Sequence, residues 1–572
     1  MMQQQASKAL EATAAEAADS NGSAWISRLP TPRGSRKDGA LSGLVFAAKD
    51  NIDVAGVRTT AGCPAFAYTP SEDATVVRRL LEAGAFVAGK TNMDQFACGL
   101  SGTRSPFGAV PNAFDANYIS GGSSSGSAFV VAKGEVDFAL GTDTAGSGRV
   151  PAALNNIVGF KPSRGLISAH GVVPAAQSVD CVSIFSRTVA TAARVLDAAM
   201  GHDPADPYSR ALRLDSTPWP HAFRFAVPAT LEFFGDDLSR GAFRSAVARL
   251  RELGGSPVAI DYAPLAEVAS LLYESALVAE RYSAVRSFFD SHEREVVEPV
   301  RSIIARGSAY SASEYAEAQV RLHRLAQRAR VMWDLADVLV VPTVPTHYTI
   351  EQMRADPVKL NRNLGMYTNF VNLLDYAAIA VPASMRVDGL PFGVTFVAPC
   401  GSDWRLAELG QRFHHATGLT QGATGEALPA MQDIAGIDPR ATVRVAVVGA
   451  HLSGMPLNAQ LTERGAVRIA VTQTAPGYRL YALPGTRPPK PGLVRVAPGE
   501  GARIAVEVWE MPASNYGSFV ALIPAPLGIA TLELEDGSHV QGFACEAIAV
   551  QGARDITSFG GWRSFLASAQ AT

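Results

Sequence analysis

Two glycine- and serine-rich segments stand close together in the chain, Gly121-Gly122-Ser123-Ser124-Ser125-Gly126-Ser127-Ala128 and Gly141-Thr142-Asp143-Thr144-Ala145-Gly146-Ser147-Gly148-Arg149. Their hydroxyls are potential nucleophiles, but a serine attacks a carbonyl only when a neighbouring base takes its proton. The usual base is not apparent: none of the ten histidines is placed to nominate itself, and no GxSxG elbow is present. The segments also lack the Gly-Lys-Ser/Thr ending of a phosphate loop and the GxGxxG of a dinucleotide site. A different base lies upstream. Lys49 closes the apolar run Leu44-Val45-Phe46-Ala47-Ala48, and burial disfavours the charged ammonium, which turns lysine into a base. Lysine and serine can then activate a nucleophile without histidine. On residue types alone, two Gly/Ser loops between a helix and short strands account for the same segments.

The elements that must position these residues follow an alternating pattern. The run ending at Lys49 reads as a strand buried on both faces. The spacing of Val76, Val77, Leu80 and Leu81, stopped by Gly84, predicts an amphipathic helix, and Phe86 to Gly89 a second buried strand. Ala128 to Lys133 reads as a helix. Strands at 223–227, 258–262, 337–342 and 379–382, with a helix over 240–253, continue the series. The fold class is therefore α/β, a sheet between layers of helices. The first 20 or so residues read as a helix or a loose arm.

After a stretch rich in Gly, Ala, Asp and Pro, strands dominate: 443–448, 467–471, 504–509 and a hairpin at Asp536-Gly537. We divide the chain into a first domain, 1–430, a linker, 431–441, and a smaller α+β domain, 442–572. Two packing units suit 572 residues, because a single core stops growing near about 250–300.

Composition narrows the class. Only 18% of residues are charged and the net charge is −3, which gives no positive field for nucleic acid or an anionic membrane. Five scattered cysteines form neither a disulfide framework nor a CxxC pair. The first residues have no apolar leader core, and no apolar stretch of about 18 or more residues follows. The expectation is a cytoplasmic protein, either a small-molecule enzyme or a neutral protein-binding scaffold.

The chemistry-bearing segments resemble the amidase signature family, marked by a GGSSGGSA block, then GTDTGGS and PA, with a lysine in a KDN-type segment upstream. Lys49-Asp50-Asn51, Ser123 and Ser147 appear in that order, with Pro151-Ala152 and Gly159-Phe160-Lys161-Pro162 behind them. The resemblance implies an amidase fold, Ser147 as the acyl-forming nucleophile, Ser123 as a bridging serine on a cis peptide, and Lys49 as the base. It places the oxyanion hole in the N–H groups of Thr144, Ala145, Gly146 and Ser147. It implies neither cofactor nor metal. Ala145 stands where the family has glycine, which is tolerable if its φ is not positive. Asp143 and Arg149 read better as an ion pair bracing the turn than as chemical groups.

Further segments resemble one branch of the family, the allophanate hydrolases: Thr91 to Ala97, Gly102 to Gly108, Pro111 to Asp115, Val179 to Phe185 and Gly389 to Gly393. The substrate this implies is a small anion with a terminal carbamoyl group and a carboxylate, which calls for an arginine fork. By the resemblance Tyr273 and Arg281 contact the substrate, with Gly122. Eight residues apart on one helix, at about 100° per residue, the two share a broad face. The last domain resembles the branch's C-terminal domain, of γ-glutamylcyclotransferase-like fold. His451 is its candidate for breaking down N-carboxycarbamate, with Tyr516 and Glu546 behind it; a structural role for a histidine in a glycine turn stays open. The resemblance further implies a homodimer and functional coupling to a urea carboxylase. Two other readings remain: a different amidase of the same family, such as the glutaminase component of a tRNA amidotransferase, and a silent scaffold for a urea carboxylase.

Overall fold

The apolar run that ends in Lys49 forms the strand Val45–Lys49, with four of its five residues buried. It lies inside a sheet of eleven strands: β1 (Trp25–Arg33), β2 (Val45–Lys49), β3 (Phe86–Thr91), β4 (Phe138–Asp143), β5 (Val158–Lys161), β6 (Cys181–Ser186), β7 (Phe223–Pro228), β8 (Gly255–Ile260), β9 (Val338–Pro342), β10 (Tyr376–Met385) and β11 (Pro391–Pro399). Their order across the sheet is β1-β3-β2-β4-β6-β5-β10-β11-β9-β7-β8. β2 runs parallel to both β3 and β4, whereas β4 and β6 are antiparallel, so the sheet is mixed. The computed structural model describes residues 23–34, 38–220 and 222–570; the expected N-terminal helix or arm lies outside them.

The central strands have no polar face. Every residue of β4, β5 and β6 is buried, as continuous apolar runs require when helices cover both sides. Among the covering helices, α1 (Thr75–Glu82) is the amphipathic helix expected before β3. The next, α2 (Ser125–Ala132), is buried along its whole length, which suits a helix that is apolar or small on every side. A short helix, α3 (Val150–Leu154), follows the second Gly/Ser segment.

The segment holding Tyr273 and Arg281 departs from the sequence reading. It is not one helix: α4 (Ala263–Glu274) ends, a single tight turn spans Ala276–Val278, and α5 (Ala279–His292) begins. Ser275 makes the break with extended backbone at φ −132° and ψ 178°, its side chain capping the N–H of Leu277. A serine at a helix start competes for backbone donors in this way.

The chain divides into two units, the first holding the described residues up to Asp215 together with Phe223–Ile437, the second Ser216–Ala222 with Asp438 onward. The linear division at 431–441 does not include the 216–222 segment in the second unit. That unit carries β12 (Thr442–Val447), β13 (Val467–Gln473), β14 (Tyr478–Ala482), β15 (Pro491–Arg495), β16 (Ala505–Pro512), β17 (Leu527–Glu533), β18 (His539–Cys545) and β19 (Arg554–Asp555). They form a five-stranded sheet, β13-β16-β12-β18-β17, and a three-stranded one, β15-β14-β19. β17 and β18 make the hairpin foreseen at Asp536-Gly537, with Gly537 at φ +83°. Among the described residues no helix is long and apolar enough to cross a membrane.

Candidate active site

Lys49 ends β2 between β3 and β4, in register with Thr91. Its side chain is completely buried, and Nζ donates to Ser123 Oγ and to Thr142 Oγ1, each at 2.7 Å. Burial pulls its pKa down to about 7, against the opposing charges of Asp94, Asp180 and Asp143. A substantial neutral fraction therefore exists near neutral pH, the condition for a general base.

Ser123 enters α2 from the first Gly/Ser segment, and the Gly122–Ser123 peptide is cis. Its carbonyl accepts the N–H of Asp94 at 3.0 Å. The Asp94 carboxylate in turn accepts the backbone N–H groups of Ser101, Gly102 and Arg104 at 3.2, 3.0 and 2.9 Å. Gly122 is pressed against this cluster: a Cβ there would fall 2.1 Å from Asp94 Oδ2. Its N–H donates to the Leu100 carbonyl at 2.8 Å. Sequence reasoning gave Asp94 no part; the available signal was an acid in a tight loop just after a strand, where such a side chain caps free N–H groups.

Ser147 follows β4 in the second segment and is 2% exposed. Its hydroxyl donates to the Gly99 carbonyl at 3.4 Å, so the Ser123–Ser147 link that the resemblance implies is not made in this arrangement, and closing it requires Ser147 to turn from Gly99. The turn around Ser147 is braced as expected. Arg149 grips Asp143 with two parallel bonds, Nε to Oδ2 at 2.8 Å and Nη2 to Oδ1 at 2.9 Å, both residues fully buried. The same carboxylate accepts the N–H of Gly146 at 2.8 Å and of Gly148 at 3.0 Å. This corrects the oxyanion assignment at one position: Gly146 commits its donor to Asp143. Among the described residues the N–H groups of Thr144, Ala145 and Ser147 have no acceptor. Gly146 has φ +140°, and a Cβ would lie 2.4 Å from Thr368 Oγ1, so glycine is needed there. Ala145 is not among the residues of positive φ, and its N–H is available.

Tyr273 and Arg281 meet although no single helix joins them. Arg281 Nη2 donates to Tyr273 Oη at 3.2 Å, and the guanidinium carbon lies 5.0 Å from the centre of the tyrosine ring. Arg281 is 3% exposed, yet its Nε and Nη1 are buried without a partner. An unpaired buried cation is costly; a ligand carboxylate is what would complete this one. Arg281 feels the charge of Asp180 and the neighbouring Cys98, and Tyr273 feels Asp94. Asp94 and Asp180 are also the carboxylates acting most strongly on Lys49, and Cys98 adjoins the glycine whose carbonyl receives Ser147. Lys49, the Ser147 turn and Arg281 thus have neighbouring groups in common.

In the second unit, His451 lines a small cavity with Gly449, Lys490, Pro491, Leu527 and Phe543. Its Nε2 bonds Gln460 Oε1 at 2.8 Å, and its ring stacks on Phe543 at 4.9 Å and meets Phe519 edge-on at 5.5 Å. Burial lowers its pKa, favouring the neutral ring. Neither Tyr516 nor Glu546 lines the cavity among the described residues; Tyr516 packs on the core of this unit.

Comparison with known proteins finds two family matches along the chain. The amidase family profile matches residues 3–407, and that of the allophanate hydrolase C-terminal domain matches 443–567. Among curated relatives, urea amidolyase of Saccharomyces cerevisiae is 44% identical over 541 residues, 92% of this chain. The chain spans only 30% of that relative's length. A glutamyl-tRNA(Gln) amidotransferase chain of Haloarcula marismortui is 35% identical over 65% of this chain and 95% of its own. Among solved structures, Kluyveromyces lactis allophanate hydrolase superposes with a TM-score of 0.77 at 39% identity, covering 98% of this chain and 96% of that one.

Proposed function

The chain belongs to the amidase family, and from that premise we propose that it is an allophanate hydrolase, an amidohydrolase that cleaves the terminal amide of allophanate. The observation that carries this reading is Arg281, a buried guanidinium with two nitrogens lacking a partner. It gives a carboxylate a place to dock, and a neutral amide does not need it. Allophanate bound with its carboxylate on Arg281 and Tyr273 presents its terminal carbamoyl carbon to Ser147.

In this mechanism neutral Lys49 takes the Ser147 proton through the Ser123 hydroxyl, which can accept and donate at once. Ser147 Oγ adds to the carbamoyl carbon, and the resulting oxyanion is held by N–H groups of Thr144, Ala145 and Ser147. The relay returns the proton to the leaving nitrogen and ammonia departs. Water, activated by the same relay, cleaves the acyl-serine and releases N-carboxycarbamate.

Onward breakdown to ammonia and CO2 is assigned to the second unit, with His451 as its candidate group. The cavity beside its neutral imidazole supports that reading. A cytoplasmic homodimer, supplied with allophanate by a urea carboxylase, completes the proposal. The two curated urea amidolyases, each far longer than this chain, are consistent with such coupling.

The tRNA amidotransferase reading is weaker, because such a relative matches 65% of the chain against 92% for urea amidolyase, and a silent scaffold has no use for a buried lysine on two hydroxyls. Ammonia release from allophanate, malonamate, glutamine and neutral amides decides among them. Preference for allophanate is expected; preference for glutamine would reverse the assignment.

A further inference from the structure

The mechanism above leaves one carboxylate at the site without a task. Asp180 immediately precedes β6. Its Oδ1 accepts the Thr144 hydroxyl, and its Oδ2 accepts the backbone N–H of Ala175 at 2.7 Å and of Ala176 at 3.1 Å. Thr144 begins the turn that carries the oxyanion donors, so Asp180 ties that turn to a separate stretch of backbone. The opposite end of the turn is fixed independently, by Asp143 holding Gly146 and Gly148. Asp180 is also the carboxylate shared by the two functional cations: its charge reaches both Lys49 and Arg281.

We infer that Asp180 is a positioning residue for the amidase reaction, anchoring the Thr144 end of the oxyanion turn to the backbone at Ala175 and Ala176. The inference rests on the reading of Lys49 as base and Ser147 as nucleophile. The groups acting on Lys49 are Asp94, Asp143 and Asp180, with Ser123 and Thr142 bonded to Nζ; those acting on Asp180 are Thr144, Ala175, Ala176 and Arg281. Burial raises the pKa of Asp180, and each of these four contacts favours its ionised form.

The test is the pH dependence of kcat and kcat/KM for allophanate, measured on the full chain. Asp180→Asn keeps the shape of the side chain but trades an acceptor oxygen for a donor, so its ties to the Thr144 hydroxyl and to the Ala175 and Ala176 N–H groups cannot all be made. Its plateau kcat falls, by roughly tenfold or more, as the turn loses its anchor. Thr144→Val removes only the anchor: kcat falls, KM changes little and the acid limb set by Lys49 stays. A folded Asp180→Asn with the plateau kcat of the unmodified chain overturns the inference. If Asp180→Asn does not fold, Asp180→Glu retains the charge and displaces the oxygens; lowered kcat with an unmoved limb is expected, and unchanged kcat overturns it. Failure of the underlying reading looks different: an unmodified chain inert toward allophanate, or a Ser147→Ala chain that still turns over.

Discussion

Arg149 and Arg281 are both buried arginines, and they sit in differently finished surroundings. Arg149 closes a bidentate pair with Asp143 and gives its remaining donors to the Thr368 carbonyl and the Asn372 side chain at 3.1 Å each. Arg281 makes one bond, to Tyr273, and leaves two nitrogens unsatisfied. A cation whose three nitrogens are all bonded holds a fold together. A buried cation left incomplete is offset by folding elsewhere, and is completed by a ligand. The same contrast separates Lys90 from Lys49. Lys90 lies 3.5 Å from Asp50 in a fully buried pair, while Lys49 touches only hydroxyls and so can exchange a proton.

The contrast can be broken in several ways. Ser147→Ala should have the largest effect, lowering ammonia release from allophanate by about 10⁴-fold or more, because no other hydroxyl occupies the nucleophile position. Arg149→Met should cost about 3–5 kcal/mol of stability by leaving Asp143 buried and unpaired. Arg281→Met breaks no carboxylate pair and takes only one bond from the Tyr273 hydroxyl, so its melting temperature should stay close to that of the unmodified chain. Comparable melting losses in both variants would erase the distinction drawn above.

A pH profile sharpens the same contrast at Lys49. Burial lowers its pKa to about 7, and the protonated form is inactive as a base, so kcat/KM should climb as pH rises through about 7. A limb near the ordinary amine range, above pH 10 or so, would mean the lysine is not desolvated. The smallest effect is expected at His451. His451→Gln should leave the first ammonia unchanged while slowing the second, a split visible in the time course of product release. Identical time courses would remove that histidine from the reaction.

How far these features could be read from the sequence follows from how local their causes are. Lys49 was legible because an apolar run ending in lysine is a local signal, and the Asp143–Arg149 brace because both partners belong to one turn. The break at Ser275 was not, since the residues around it are helix formers, and the serine's capping of Leu277 competes only weakly with a continuous helix. The family resemblance puts Gly146 among the oxyanion donors; its commitment to Asp143 depends on which way the carboxylate faces, which no local pattern shows. Asp94 and Asp180 act through folding that brings Ser101 to Arg104 and Ala175 to Ala176 around them. Segment 216–222, too short to show a pattern, joins the second unit only through tertiary packing.

The most direct measurement compares allophanate with biuret, its neutral counterpart bearing an amide in place of the carboxylate, in the unmodified chain and in Arg281→Met. With Arg281 as the carboxylate's partner, kcat/KM for allophanate falls by about 10²-fold or more in the variant, as expected for truncating one member of a buried charge pair, while the value for biuret stays within about threefold. Equal losses on both substrates would contradict that role and reduce Arg281 to a structural arginine like Arg149.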